Sequence, residues 1–147
     1  MSELPVTYRG AVYPWHCDHV GHMNVAWYTG KFDEATWNLF NMLGITPKYM
    51  RASQRGMAAV DQHSKYLREL HPGDVVFVQS RLLQLEDKRI RFLHSMFNGE
   101  TNELAATTEL LALHMDTEIR KTCPFPENIV QAGQAMIAEH GGDTEDG

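Results

Sequence analysis

Two cysteines among 147 residues leave little room for thiol chemistry. Cys17 and Cys123 stand in no metal-ligand or redox spacing, so two free thiols are expected. No apolar run approaches the roughly 18 residues that span a bilayer. The opening Met1-Ser2-Glu3-Leu4-Pro5 lacks the charged-then-apolar pattern of a secretory signal. A cytoplasmic protein with no membrane partner is therefore expected. An excess of basic residues is missing too. Thirteen Lys and Arg against nineteen Asp and Glu give a net charge of −6, which argues against nucleic acid as a partner. No internal repeat and no second domain are visible.

What is present is an apolar content of 43%, enough for one hydrophobic core in a chain of this length. One domain over residues 1–140 is expected. The Gly-rich, acidic stretch Gly141 to Gly147 reads as a disordered tail.

The most informative stretch is Asp18-His19-Val20-Gly21-His22-Met23-Asn24. A carboxylate and two imidazoles share a short polar loop, and Asn24 is a good N-cap. From Val25 to about Gly44 the apolar spacing is helical. Val25, Tyr28, Phe32, Ala35, Thr36, Leu39 and Leu43 form one broad face at about 100° per residue. Lys31, Glu34, Asn38 and Asn41 fall away from it, and Trp37 points to the outer surface or to a contact between subunits. Gly44 suits a C-terminal cap, and Pro47 confirms the stop. A helix start carries unpaired N–H groups and a partial positive charge, so an acid or base beside it is equipped to polarise and attack a carbonyl.

Upstream, Val6 to Trp15 alternates as a strand, with pairing expected to stop near Pro14. Downstream, Met57 to Leu70, Val75 to Leu85, Arg89 to Phe97 and Leu104 to Met115 read as four strands. They are separated by the turn signals His71-Pro72-Gly73-Asp74, Glu86-Asp87-Lys88 and Asn98-Gly99. Short links imply antiparallel pairing. Pro124-Phe125-Pro126 closes the sheet region, and Glu127 to His140 reads as a C-terminal helix. The fold class is α+β, one long helix against one antiparallel sheet.

Asp18, Gly21, His22, Asn24 and Tyr28, in this order and ahead of the Pro72-Gly73-Asp74 turn, resemble the hotdog-fold acyl-CoA thioesterases of the 4-hydroxybenzoyl-CoA thioesterase-like group. The similarity covers roughly residues 5 to 120. A closer likeness, to the betainyl-CoA thioesterase branch linked to carnitine breakdown, rests on four stretches. These are Tyr13-Pro14-Trp15-His16-Cys17-Asp18, residues 30 to 37, Gly56-Met57-Ala58-Ala59-Val60 and Cys123-Pro124-Phe125-Pro126.

The resemblance implies a single hotdog domain, an acyl-CoA substrate, no cofactor, no metal, and a homodimer or homotetramer with its active site between subunits. It implies that Asp18 serves as general base or nucleophile. The N–H of Val25, with that of Asn24 as a second donor, would face the thioester oxygen, and Gly21 would let the ligand approach closely. His22 would order the loop. His63, on the strand beneath the helix, reads equally as a site residue or as a hydrogen-bonded core histidine. Lys88, Arg89 and Arg91 form the one compact basic cluster. They suit the CoA phosphates, or else an exposed turn; Arg120 and Lys121 are a weaker pair.

Trp15, Trp27, Tyr13 and Tyr28 bracket the loop. They serve as packing, or as a lining for a cationic acyl group. An aromatic or medium-chain acyl group is the fallback. His16, His19 and His22 at three-residue spacing invite a metal reading, but their rings would have to converge; His16 and His19 otherwise read as solvated. Cys17 precedes Asp18 without the orienting pattern of a Cys–His enzyme. Two other classes compete. A hotdog hydratase ranks low, because His22 stands four residues after Asp18 where five are needed. A non-catalytic acyl-CoA-binding hotdog protein is the other.

Overall fold

The computed structural model describes residues 3–141; the tail expected from Gly141 lies, beyond that first residue, outside the described residues. The chain runs β1 (Val6–Ala11), α1 (Val25–Leu43), α2 (Pro47–Ser53), β2 (Arg55–Tyr66), β3 (Val75–Glu86), β4 (Arg89–Asn98), β5 (Leu104–Asp116), β6 (Lys121–Thr122) and α3 (Glu127–His140). The strands form one sheet in the order β1-β3-β4-β5-β2, with β6 on β5. Every pairing is antiparallel, as the short links require.

The long helix forms where the spacing predicts it. Asn24, in extended backbone, accepts a hydrogen bond from the Ala26 N–H, and Gly44 closes the other end in the left-handed region at φ 92°. Tyr28, Phe32, Ala35, Thr36, Leu39 and Leu43 are buried as expected. Two positions on the helix depart from expectation. Val25 is 54% exposed, because helical side chains lean over the preceding turn and the first residue has none. Lys31 is buried rather than turned outward. Its stem runs to β1, where Nζ donates to the Tyr8 hydroxyl at 3.0 Å and the Ala11 carbonyl at 3.1 Å.

Other boundaries move for local reasons. β1 stops at Ala11, and Pro14–His16 forms a 3-10 turn, so Tyr13 and Trp15 leave the sheet. Pro47 does more than stop α1. With Thr46 as cap it occupies the first turn of α2, a helix the sequence reading passed over. β2 begins at Arg55 and ends at Tyr66, short of Leu70. The Leu67 and Arg68 amides both donate to the Ala105 carbonyl, which ends the ladder, and Leu70 turns into the core. The two-residue β6 was also passed over.

The core lies between the sheet and the helices in two apolar clusters. One joins Leu39, Phe40 and Leu43 of α1 to Leu82, Leu85, Ile90, Phe92 and Ile129. The other joins Tyr28, Phe32 and Ala35 to Val78, Met96, Ala106 and Leu70. Between them runs a buried polar row, and its members on neighbouring strands are register partners: Ser80 with His94, and His94 with Thr108. The Thr7 and Ser80 hydroxyls lie 2.7 Å apart, Ser80 Oγ lies 2.6 Å from His94 Nδ1, and His94 Nε2 lies 2.8 Å from Thr36 Oγ1 on α1. The side-chain polar atoms of this row, those of Thr7, Ser80, His94, Thr36 and Thr108, each have a partner, which is the condition for burying them without penalty.

Burial lowers the pKa of His94 to about 3. The imidazole thus stays neutral in the fold but protonates near 6.5 once unfolded. Protons then bind the unfolded chain preferentially, so stability falls as pH drops from about 6.5 toward 3. Between pH 6.5 and pH 5 this group alone accounts for about 2 kcal/mol. Urea unfolding at pH 7.5 and pH 5.0 checks this: wild type should lose about 2 kcal/mol more than His94→Gln, and equal losses would contradict it.

Candidate active site

The loop before α1 is a small hairpin. Cys17 and Met23 form an isolated antiparallel bridge, the Asp18 N–H donates to the His22 carbonyl, and the Gly21 N–H donates to the Asp18 carbonyl at 3.0 Å. Gly21 has φ +92°, and an added Cβ would meet nothing within 4 Å. The backbone conformation, not crowding, therefore calls for glycine here. The Met23 N–H donates to the Leu70 carbonyl at 2.7 Å, which ties the loop to the segment after β2.

Asp18 is held on both sides. Its Oδ1 accepts from the Val20 N–H at 3.1 Å and its Oδ2 from Asn24 Nδ2 at 3.3 Å. The Val20 amide, the Asn24 amide and the nearby His22 and His19 hold its pKa below the usual carboxylate value. The group is an anion at neutral pH with lone pairs to spare. Asn24 has two jobs, since its Oδ1 also accepts from the Ala26 N–H at 2.9 Å. Its own N–H, expected as a second donor to a ligand oxygen, is already given to the His16 carbonyl at 2.9 Å. The Val25 N–H is the first of the helix and has no acceptor within it. A fixed carboxylate beside a helix-start amide can orient a carbonyl and deliver base or nucleophile to it.

His22, Val25 and Tyr28 line one cavity of about 330 Å³ with Tyr66, Arg68 and Glu69. His22 Nε2 lies 3.8 Å from Glu69. Tyr28 is buried and its hydroxyl donates to the Arg68 carbonyl at 3.2 Å. Burial and then Glu69 push its pKa up to about 12, so it remains a donor. Tyr66 stands edge-on to Tyr28 on the rim of this cavity. Glu69 was missed altogether, because its stretch reads as the end of a strand and carries no signal of its own.

The other expected residues are dispersed. Trp15 stacks flat on Tyr13 at 4.7 Å and is 67% exposed. Trp27 lies 4.1 Å from the His16 ring. His16 is buried rather than solvated, because its Nδ1 accepts from the Tyr13 N–H while Trp27 covers it. Burial and then the Lys31 ammonium lower its pKa. His63 is exposed on the β2 edge, opposite Glu109 in register, so it is not a core histidine. Lys88, Arg89 and Arg91 lie at the start of β4, and Arg91 pairs with Glu109 at 3.1 Å. Register puts Met96 beside Ala106 and Ala106 beside Tyr66. About seven residues of strand, roughly 23 Å, therefore separate Arg89 from the loop end of the sheet.

A long helix capping a curled antiparallel sheet, with a polar loop at the helix start, is the hotdog architecture of acyl-CoA thioesterases. A Staphylococcus aureus protein in complex with CoA has the same fold, at a TM-score of 0.87 and 21% identity, over 94% of this chain and 87% of that one. Residues 12–133 match the thioesterase-like superfamily, and the chain belongs to it. A Pseudomonas aeruginosa betainyl-CoA thioesterase is 26% identical over 95% of this chain and 88% of its own. The L-carnitine dehydrogenase/betainyl-CoA thioesterase of Agrobacterium fabrum is 33% identical over 88% of this chain. This chain spans about a quarter of that relative, 26% of its length.

The cap and the clamp on Asp18 both run through one side chain. Asn24→Ala should cost about 1 kcal/mol through the lost cap. A denaturation midpoint unchanged from wild type would show that Asn24 does not hold the helix start.

Proposed function

We propose that this protein is an acyl-CoA thioesterase acting on a small acyl group, with betainyl-CoA as substrate. The observation that carries the reading is the ionised Asp18 held beside the free Val25 N–H at the start of α1. In this reading the thioester oxygen accepts from the Val25 N–H, which meets the negative charge as the carbonyl is attacked. Asp18 either takes a proton from the attacking water or attacks the carbonyl itself to give a mixed anhydride that water then cleaves. The C–S bond breaks, CoA leaves as its thiol, and the acid is released. The names of the relatives support betaine as that acid.

The reading includes a homodimer in the cytoplasm. β2 has a ladder partner on one side only, β5, and its outer residues, Val60 and Tyr66 among them, are exposed. An open edge of this length invites another strand, and a second copy supplies one. Antiparallel pairing of two β2 edges would bring Lys88, Arg89 and Arg91 of one copy toward the Asp18 loop of the other, where CoA phosphates need cations.

Light scattering should return about twice the 16.8 kDa chain mass, or a multiple of that; a monomer would remove the paired edge.

Thiol release across a panel of acyl-CoAs tests the chemistry. Betainyl-CoA should lead, aromatic or medium-chain acyl-CoAs in its place would change the substrate, and tight binding without release would make this a non-catalytic binder. Asp18→Asn should fold and lose most turnover. Val25→Pro removes the N–H at a helix position that tolerates proline, after a residue already extended at φ −74°, ψ 149°. It should lower kcat by about 10²–10³; wild-type kcat would exclude the Val25 amide.

A further inference from the structure

The cavity of about 330 Å³ beside the start of α1 holds a carboxylate that the proposed reaction does not use. Glu69 lines it together with Val25, whose N–H meets the thioester oxygen in that reaction. Two histidines are its partners, His22 Nε2 at 3.8 Å and His71 Nε2 at 3.7 Å. Both carry charge only when protonated. Among the described residues no Lys or Arg forms a salt bridge with Glu69. The one guanidinium in the lining, that of Arg68, is paired instead with Glu103 at 3.5 Å. Tyr28 and Tyr66 supply two aromatic walls. Their rings stand 5.2 Å apart at 78°, so they meet as a corner rather than a stack. Two ring walls and a carboxylate without a fixed counter-ion match a cation with an apolar surface, which is the character of a quaternary ammonium.

The reach fits as well. In a betainyl group the nitrogen stands about 2.5 Å from the carbonyl carbon by standard bond lengths. A carbonyl seated at the Val25 N–H therefore keeps its trimethylammonium group within about one helical turn of the start of α1. Tyr28 stands three residues after Val25, a rise of about 4.5 Å. It shares that flank of the helix, and its side chain leans back toward the helix start. Glu69 is held nearby through its neighbour, since the Leu70 carbonyl accepts from the Met23 N–H at 2.7 Å, two residues before Val25. A separate cavity of about 230 Å³ lies farther along α1, beside Asp33 and Trp37, and Val25 is not in its lining. A group this short does not reach it. At about 330 Å³ the nearer cavity stands at the small end of the roughly 300–1,000 Å³ of ligand pockets, which favours a short acyl group over a medium chain.

We infer that Glu69, Tyr28 and Tyr66 form the subsite that selects a quaternary ammonium acyl group. The inference rests on the thioesterase reading of the Asp18 site and adds the residues that set its acyl preference. Of the four aromatic residues that bracket the loop it keeps Tyr28 alone. Tyr13 and Trp15 stack on each other, and Trp27 packs on His16. The Glu69 side chain is 65% exposed and Tyr66 is 45% exposed. Solvent therefore screens the attraction, and each residue contributes a several-fold preference.

The test compares betainyl-CoA with 3,3-dimethylbutanoyl-CoA, its neutral isostere in which carbon replaces nitrogen. Glu69→Gln should reduce the ratio of kcat/KM for the two substrates by about fivefold, and Tyr66→Leu by several-fold, the scale of charge and cation–π recognition at an exposed site. Tyr66→Phe, which keeps the ring, should retain the wild-type ratio. A wild type that treats the two substrates alike, or a ratio unchanged in both Glu69→Gln and Tyr66→Leu, overturns the inference. Either result leaves hydrolysis of the thioesters to support the thioesterase reading. Calorimetry in an Asp18→Asn background reads binding without turnover. Betainyl-CoA should bind more tightly than its isostere there, and adding Glu69→Gln should narrow that gap about fivefold. An unchanged gap overturns the inference even if no acyl-CoA is hydrolysed, an outcome that would separately end the thioesterase reading. Circular dichroism matching wild type confirms that each variant folds.

Discussion

The hydrogen bonds from Ser80 through His94 to Thr36 decide where α1 sits on the sheet. Apolar contacts alone would let a helix slide by a turn with little penalty, because hydrophobic burial is non-directional. A buried imidazole with a partner required at each nitrogen does not allow that, since one unmet polar group in the interior costs about 1–3 kcal/mol. Thr36 lies between Ala35 and Leu39, and His94 between Phe92 and Met96. The polar row thus separates the two apolar clusters and pins the helix at one register.

The rest of the site follows from that register. Once α1 is pinned, its first residue and free amide stand at one end of the sheet, beside the segment where β2 leaves its ladder. The Leu70 carbonyl holds Met23 there, and the Asn24 side chain joins helix cap and carboxylate in one pair of hydrogen bonds. Asp18 is therefore positioned by a chain of contacts that runs from the core to the loop. The same register lays Thr29, Asp33 and Trp37 over the gap beside β2, where they line a cavity with Met57, Phe92 and Leu110.

Much of this was legible in the residues. The cap Asn24, the end Gly44, the C-terminal helix from Glu127 to His140 and the three strands after the Pro72-Gly73-Asp74 turn carry local signals, and the structure places them within a residue or two. The cluster from Asp18 to Asn24 was legible as a site because polar residues crowd ahead of a helix start. Lys31 and His16 were misplaced for one reason. Each is a polar side chain buried against a satisfying partner: Tyr8 and the Ala11 carbonyl on β1 for Lys31, and for His16 the Tyr13 amide at the start of its own 3-10 turn, beneath Trp27. Periodicity carries no information on such partners.

The sequence by itself determined the local grammar: where helices begin and end, which faces are apolar, which loop holds ionisable groups, and which superfamily the chain belongs to. Those properties depend on neighbours within a few positions, where propensity, capping and turn chemistry act. Only the tertiary structure decided that the Asn24 amide is spent on His16, that His63 faces outward on an edge, and that Lys88, Arg89 and Arg91 stand at the far end of the sheet from the loop. It alone brought Asp33 and Trp37 to a cavity with Phe92 and Leu110, residues more than fifty positions away. Burial, partner choice and cavity walls are set by strand order and register, and those are consequences of the whole chain closing on one core.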